Sequence, residues 1–291
     1  MNRIILTGAV ALAVAATPAS AGGSRRAGGK LLLTNGVTTV EGSSGGGLST
    51  WAVIAGNETR DGIGASAHAT LVALPDFDLE SFGAAVGIAD RVELSYARQS
   101  FDTRAAGAAL GLGRGFTFGQ HVIGAKVRVI GDAVWEQDRW LPQIAVGVQH
   151  KRADRGAVIR AVGGREDKGT DLYVAATKLL LARSLLLNGT VRFTKANQFG
   201  LLGFGGDRGA AHKAQVEASA AYMLSRRIVV GTEYRTKPDN LGFAREQDAF
   251  DAFAAWAVTR NVSLTAAYVD LGDIATVRKQ RGAFLSIQGA F

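Results

Sequence analysis

Six basic side chains, Lys126, Arg128, Lys178, Arg192, Arg235 and Lys237, fall in short segments where apolar residues recur at every second position. Glu217 and Glu233 stand in the same setting. Charged groups in that pattern share one face of a strand, because successive side chains point to opposite sides of a sheet. If the apolar faces meet lipid, the charged ones line an interior. With Lys151 and Lys213 the interior set holds eight cations against the four acids Glu93, Asp132, Glu217 and Glu233. Four carboxylates cannot neutralise eight bases, and an unpaired charge is costly to bury. The expectation is therefore a water-filled pore lined by Lys126, Arg128, Lys178, Arg192, Glu217, Glu233, Arg235 and Lys237, with a preference for anions.

Other arrangements with chemical potential are weaker. Gly42-Ser43-Ser44-Gly45-Gly46 spells the nucleophile-elbow pattern, but more glycine and then another strand follow where a helix is required, so it reads as a flexible loop. His68, His121, His150 and His212 show no helical metal spacing, and cysteine is absent. Gly111–Gly115 and Gly203–Gly206 lack the strand–loop–helix setting of a phosphate loop. No metal, no cofactor and no catalytic residue is expected. A lipid-acting barrel enzyme is the least favoured of three functions, behind a passive channel and a non-conducting envelope-interaction barrel.

The elements that would position the charged face are strands. Residues 261–270 place Val262, Leu264, Ala266 and Tyr268 against Ser263, Thr265, Ala267 and Val269. Residues 227–237 and 213–224 alternate in the same way. Very short connections at Asp90-Arg91, Arg183-Ser184, Ser225-Arg226 and Arg260-Asn261 interleave with the longer stretches 102–118, 153–169, 196–211, 238–246 and 272–280. That rhythm is the one outer-membrane barrels follow, with short periplasmic turns and long outer loops. The expected fold is an all-β antiparallel transmembrane barrel over 30–291. Fourteen strands are counted if 30–41 and 48–57 both join the wall, and twelve if the segment 22–57 folds inside or beneath it.

Two aromatic belts fit this reading: Phe193, Tyr234 and Tyr268 at one rim, and Trp135, Trp140, Tyr222 and Trp256 at the other. The chain ends Leu285-Ser286-Ile287-Gln288-Gly289-Ala290-Phe291, an alternating strand closed by an aromatic. Phe291 resembles the assembly signal of outer-membrane barrels, which makes the barrel assembly machinery an expected partner, together with outer-membrane lipid and a small solute.

Composition agrees. Glycine accounts for 38 of 291 residues and proline for only 4, which suits thin-walled sheets better than helices. Residues 1–21 carry Arg3, an apolar run from Ile4 to Ala16 and the small-residue site Ala19-Ser20-Ala21, a secretory signal peptide followed by a flexible 22–29. Export to the outer membrane makes nucleic acid an unsuitable partner despite the formal charge of +8.

The stretches 30–48, 90–103, 137–149, 185–208, 233–246 and 263–275 resemble an uncharacterised family of exported Gram-negative proteins labelled only as a domain of unknown function. That resemblance implies an outer-membrane-type barrel and carries no activity, ligand or catalytic residue with it.

Overall fold

Twelve antiparallel strands close on themselves in the computed structural model, which describes residues 29–136 and 138–291. In chain order they are β1 (Ile63–Ala73), β2 (Asp78–Ile88), β3 (Val92–Asp102), β4 (Thr117–Ile130), β5 (Gln143–Ala153), β6 (Lys168–Leu180), β7 (Leu185–Thr194), β8 (Lys213–Met223), β9 (Ile228–Arg235), β10 (Ala249–Ala257), β11 (Val262–Asp270) and β12 (Arg281–Ala290). Each pairs with its neighbours in sequence. The seam is shut by β12 on β1, from Ala283 opposite Ala73 to Ala290 opposite Ser66. Closure removes every edge strand, so all ladder N–H and C=O groups are satisfied within the wall.

The period-2 pattern decides which face is which. Leu94, Ile123, Leu172, Val174, Val191, Leu264, Leu285 and Ile287 point outward and are exposed. Glu93, Lys126, Gln149, Lys151, Asp171, Arg192 and Glu217 point inward and are buried. A polar interior within an apolar exterior is the arrangement of a barrel whose solvent is lipid.

The short turns and the long loops alternate as the sequence suggests, with two departures. The β1–β2 connection at the long-loop rim is only Leu74 to Phe77, and the β4–β5 connection at the other rim spans Gly131 to Pro142. The long loops carry two short helices, α1 (Ala106–Ala109) and α2 (Gly156–Ala161), and a two-stranded sheet pairing Gly164–Glu166 with Phe204–Gly206.

The strand count is twelve because 30–41 and 48–57 do not join the wall. The expected wall strands there are instead a compact segment inside the barrel. A minimal hairpin pairs Val37–Thr38 with Ser44–Gly45, and Thr39, Glu41, Thr50, Ala52 and Ile54 are all but inaccessible. The expected signal peptide 1–21 lies outside the described residues, as does all of 22–29 except Gly29.

Two apolar clusters fill the lumen at different heights. Trp51, Val53, Leu179, Leu186, Val229 and Phe253 pack towards the short-turn rim. Val40, Val72, Phe77, Leu79, Phe101, Phe118, Leu202 and Phe284 pack towards the long-loop rim.

Candidate functional site

Between these clusters lies a layer of buried charge, organised around the plug segment 30–57. Glu41 has no solvent exposure. Lys151 from β5 bonds its Oε1, Arg235 from β9 donates from Nη1 to its Oε2 at 3.0 Å, and the Arg192 guanidinium lies 3.9 Å away. Arg192 also bonds Glu217 through Nε at 2.5 Å, Gln149 at 2.6 Å and Thr50 at 2.9 Å. Lys151 meets Asp171 at 2.8 Å. Buried charge of this kind is tolerable only when each group is paired and hydrogen-bonded.

The plug's backbone is held by wall side chains on nearly every side. Glu93 of β3 accepts from the N–H groups of Ser44 and Ala55. Lys126 of β4 donates to the carbonyls of Ser44 and Trp51 and pairs with Glu93 at 3.1 Å. Glu217 accepts from Thr50 N–H at 2.7 Å, and Glu233 from Leu48 N–H at 2.8 Å. Trp51 donates its indole N–H to Ser219 Oγ at 2.9 Å, and Thr38 donates to Gln288 at 2.8 Å. These bonds serve the polar groups that the segment's two-residue hairpin leaves unpaired.

The glycine run has a packing reason. Gly42 takes φ +91° in the plug's turn, a region that disfavours other residues. A Cβ on Gly46 would strike the Glu233 carboxylate and the Trp51 ring. Gly42–Gly46 is therefore a buried, tightly bonded turn, and the expected flexible loop is not found.

Of the residues expected to line a pore, Lys126, Arg128, Arg192, Glu217, Glu233, Arg235 and Lys237 face the lumen and are buried. Lys178 does not. On β6 the inward positions are Asp171, Tyr173, Ala175 and Thr177, so Lys178 falls on the outward face. Its ammonium donates to carbonyls of the β4–β5 connection, those of Glu136, Arg139 and Leu141. The expected surplus of positive charge is also absent. Glu41, Asp171 and Glu246 join the acids, Arg128 pairs with Asp132 at 2.8 Å and Asp90 at 3.2 Å, and Lys237 sits 3.6 Å from Glu246. Glu41 was hidden because it lies in the plug. Asp171 and Asp251 could have been found by parity, since both share the inward alternation of their strands.

All of the belt residues are exposed on the outer side. Phe193, Tyr234 and Tyr268 lie at the long-loop ends of their strands, Tyr222 and Trp256 at the short-turn ends, and Trp135 and Trp140 in the β4–β5 connection. Phe291, also exposed, exchanges backbone bonds with Ala65 and accepts from Asn57 N–H at 3.0 Å, where the plug leads into β1.

Above the charged layer, towards the long loops, is an apolar cavity of ≈ 220 Å³. The plug contributes Val40 and Leu48 to its floor. Val72, Leu79, Phe101, Phe118 and Phe284 form its wall, and Leu112, Val158, Leu201, Phe243 and Ile274 come from the loops. Phe199 separates cavity from charge: it lines the cavity while the Arg235 guanidinium stacks over its ring at 4.5 Å. Gln198 and Phe199 hold φ of 45° and 59°, a left-handed backbone at the cavity wall. The cavity's one carboxylate, Asp251, faces Glu233 across β9 and β10, and its Oδ1 has no hydrogen-bond partner.

His68 Nε2 lies 3.3 Å from Ser81 Oγ, and its Nδ1 has no hydrogen-bond partner, so no third group orients the ring of that pair. His121 contacts the Tyr96 hydroxyl, His150 the Thr170 hydroxyl and His212 the Thr170 carbonyl. No cluster of metal-ligating side chains occurs among the described residues.

The closed wall, apolar outside and polar inside, defines an outer-membrane-type β-barrel. Within that class, the chain belongs to the family described as "Protein of unknown function (DUF3034)", whose model matches residues 34–288. The barrel is similar to the solved "KdgM porin", with a TM-score of 0.51 and 9% identity over 78% of this chain and 99% of that one. It is similar to the same degree, at 10% identity, to "KdgM porin in complex with disordered oligogalacturonate". The NanC porin aligns with a TM-score of 0.49 and 7% identity over 77% of this chain and 98% of that one. No curated protein matches the sequence.

Proposed function

We propose that this protein is an outer-membrane channel whose lumen is closed by its own N-terminal segment and whose outer chamber receives a small apolar solute. The carrying observation is the vertical order of the lumen: apolar cavity, charged layer, then packed plug. The outward apolar band and the exposed aromatics at both rims support residence in a membrane. The leader 1–21 and Phe291 support export and assembly through the barrel assembly machinery. The fold shared with the KdgM porin supports a channel. The solute is argued from the cavity. A 150 Å³ apolar cavity is known to hold benzene, so one of ≈ 220 Å³ suits a neutral molecule of about bicyclic size.

The ion pairs of the lumen weigh against the anion-selective reading. Arg192, Arg235 and Lys126 are neutralised by Glu41, Glu217 and Glu93, so no cationic ring is free to attract an anion. One observation favours a second reading, the non-conducting barrel: the plug is hydrogen-bonded to nine of the twelve strands, β2 to β9 and β12. Passage requires it to move.

Thr38→Cys and Gln288→Cys place thiols on plug and wall in a chain that has no native cysteine, and a short reducible thiol crosslinker ties them. Ion conductance in planar bilayers is then compared between the linked and the reduced protein. Conductance in the reduced form that falls when the link closes supports the gated channel. Equal conductance in both forms refutes gating by the plug, and no conductance in either places the non-conducting barrel ahead.

A further inference from the structure

Four basic residues stand directly opposite one another on four adjacent strands of the outer wall. Arg98 on β3 pairs in register with His121 on β4, His121 with Arg152 on β5, and Arg152 with Lys168 on β6. All four side chains are on the outward face. His121, Arg152 and Lys168 are exposed, and Arg98 keeps a third of its side chain accessible. Arg152 and Lys168, directly opposite one another, are like charges, which repel across a sheet and destabilise the pairing. The wall nonetheless sets the four residues in one row, about 14 Å long at the ~4.8 Å spacing between strands.

Their neighbours do not cancel the charge. One carboxylate, Asp154, reaches Arg98 at 2.6 Å. Arg152 and Lys168 have no side-chain hydrogen bond or ion pair among the described residues. Arg155 adds a further cation at the same rim, its guanidinium over Phe116 at 4.9 Å. The row just below, Tyr96–Ile123–His150–Thr170, mixes one apolar side chain with three hydrogen-bonding ones: Tyr96 Oη lies 2.8 Å from His121 Nδ1, and His150 Nδ1 lies 2.9 Å from Thr170 Oγ1. Beneath that the outward face becomes apolar, with Leu94, Ala125, Val148 and Leu172 in register.

The height of the row identifies what it meets. From Arg98 down to the short turn at Asp90 is eight residues. At ~3.4 Å per residue and a tilt near 40°, that is roughly 21 Å, close to the ~25 Å apolar band of such barrels. The row therefore marks the upper edge of the apolar band, on the long-loop side. Anionic groups there belong to lipid heads, and the apolar face below accepts their chains.

We infer that the row Arg98–His121–Arg152–Lys168 is a docking site for a phosphate-bearing lipid of the outer leaflet, with its headgroup phosphates on the row and its acyl chains along Leu94 and Leu172. This rests on the outer-membrane reading above and does not depend on channel activity. Guanidinium groups suit it because their fork geometry matches phosphate oxygens.

The test uses the full-length protein folded in uncharged detergent, with folding checked by heat-modifiable gel migration. Thermal unfolding is followed with added lipid A, with lipid A stripped of its phosphates, and with inorganic phosphate. The expected result is a rise in Tm with lipid A alone, and at least ~10-fold weaker binding in Arg152→Glu with Lys168→Glu. A second variant, Arg152→Gln with Lys168→Gln, removes charge without adding repulsion and should also weaken binding. An equal rise with the stripped lipid, a rise with inorganic phosphate alone, or unaltered lipid A binding in both folded variants would overturn the site. Recovery of the protein outside the outer-membrane fraction of cells, with lipid A binding intact in vitro, would instead overturn the location.

Discussion

Glu41, in the plug inside the barrel, accepts a hydrogen bond from Arg235, on the ninth strand of the wall, at 3.0 Å. The two are 194 residues apart in sequence and both are buried. Lys151 and Arg192 converge on the same carboxylate. Removing it leaves three cations facing one another, and breaking one partner from a buried charge set typically costs about 3–5 kcal/mol. Glu41→Ala should therefore loosen the plug while leaving the wall ladder intact. Planar-bilayer recording should show larger or more frequent openings than the native protein. Unchanged conductance would mean that the charged layer does not latch the plug.

The orientation of the barrel can be read on intact cells. Arg114 is exposed in the β3–β4 loop and Ser225 is exposed in the β8–β9 turn. A membrane-impermeant thiol reagent should label Arg114→Cys and spare Ser225→Cys. The opposite pattern would invert the topology and place the basic row in the inner leaflet.

The outer cavity can be filled from within. Val72 on β1 points into it and is buried. Val72→Phe should weaken naphthalene binding by an order of magnitude or more. The protein should stay folded, since a void receives the added volume and the usual overpacking cost of ~1–3 kcal/mol is relieved. Fluorescence titration with naphthalene measures this, with circular dichroism as the folding control.

Asp132, in the β4–β5 connection, carries a pH-dependent contribution. Burial opposes its charge, but the N–H groups of Trp135 and Val134 and the Arg128 guanidinium outweigh burial and hold its carboxyl below the usual range. A carboxylate whose pKa is lowered by folding adds stability above its unfolded pKa, and that stability is lost as pH falls through the folded value. Asp132→Asn should lower the urea midpoint of the barrel near neutral pH. The gap should narrow once pH falls below the unfolded carboxylate value of about 3.9 and close as the native side chain is protonated too. A gap that persists in acid would assign the effect to shape and not to charge.

The wall was legible in the sequence because each strand repeats one local rule. Val262, Leu264 and Tyr268 alternate with Ser263 and Thr265, and the structure places them on β11 as that alternation requires. The plug was legible only as an alternative count. Val37, Thr38, Thr39 and Val40 have the β-branched composition of a strand. What sets them inside is Glu41 finding Lys151 and Arg235, and no local pattern announces a contact so distant in sequence. The assignment of Lys178 failed for a smaller reason. Its strand's phase is set by Asp171, Tyr173 and Thr177, and a one-residue slip in that phase moves a side chain through the wall.

The hydrogen bonds of the plug bear on the order of events during synthesis. Thr50 and Glu41 emerge from the ribosome before any strand of the wall, yet their partners Lys151, Arg192, Glu217 and Arg235 follow 110 to 194 residues later. Contacts so far apart in sequence form slowly. The seam between β1 and β12 encloses the segment once it shuts. The plug thus finds its partners only after most of the wall has been made, and the seam must shut with the segment already inside, as a cask is raised around a bung.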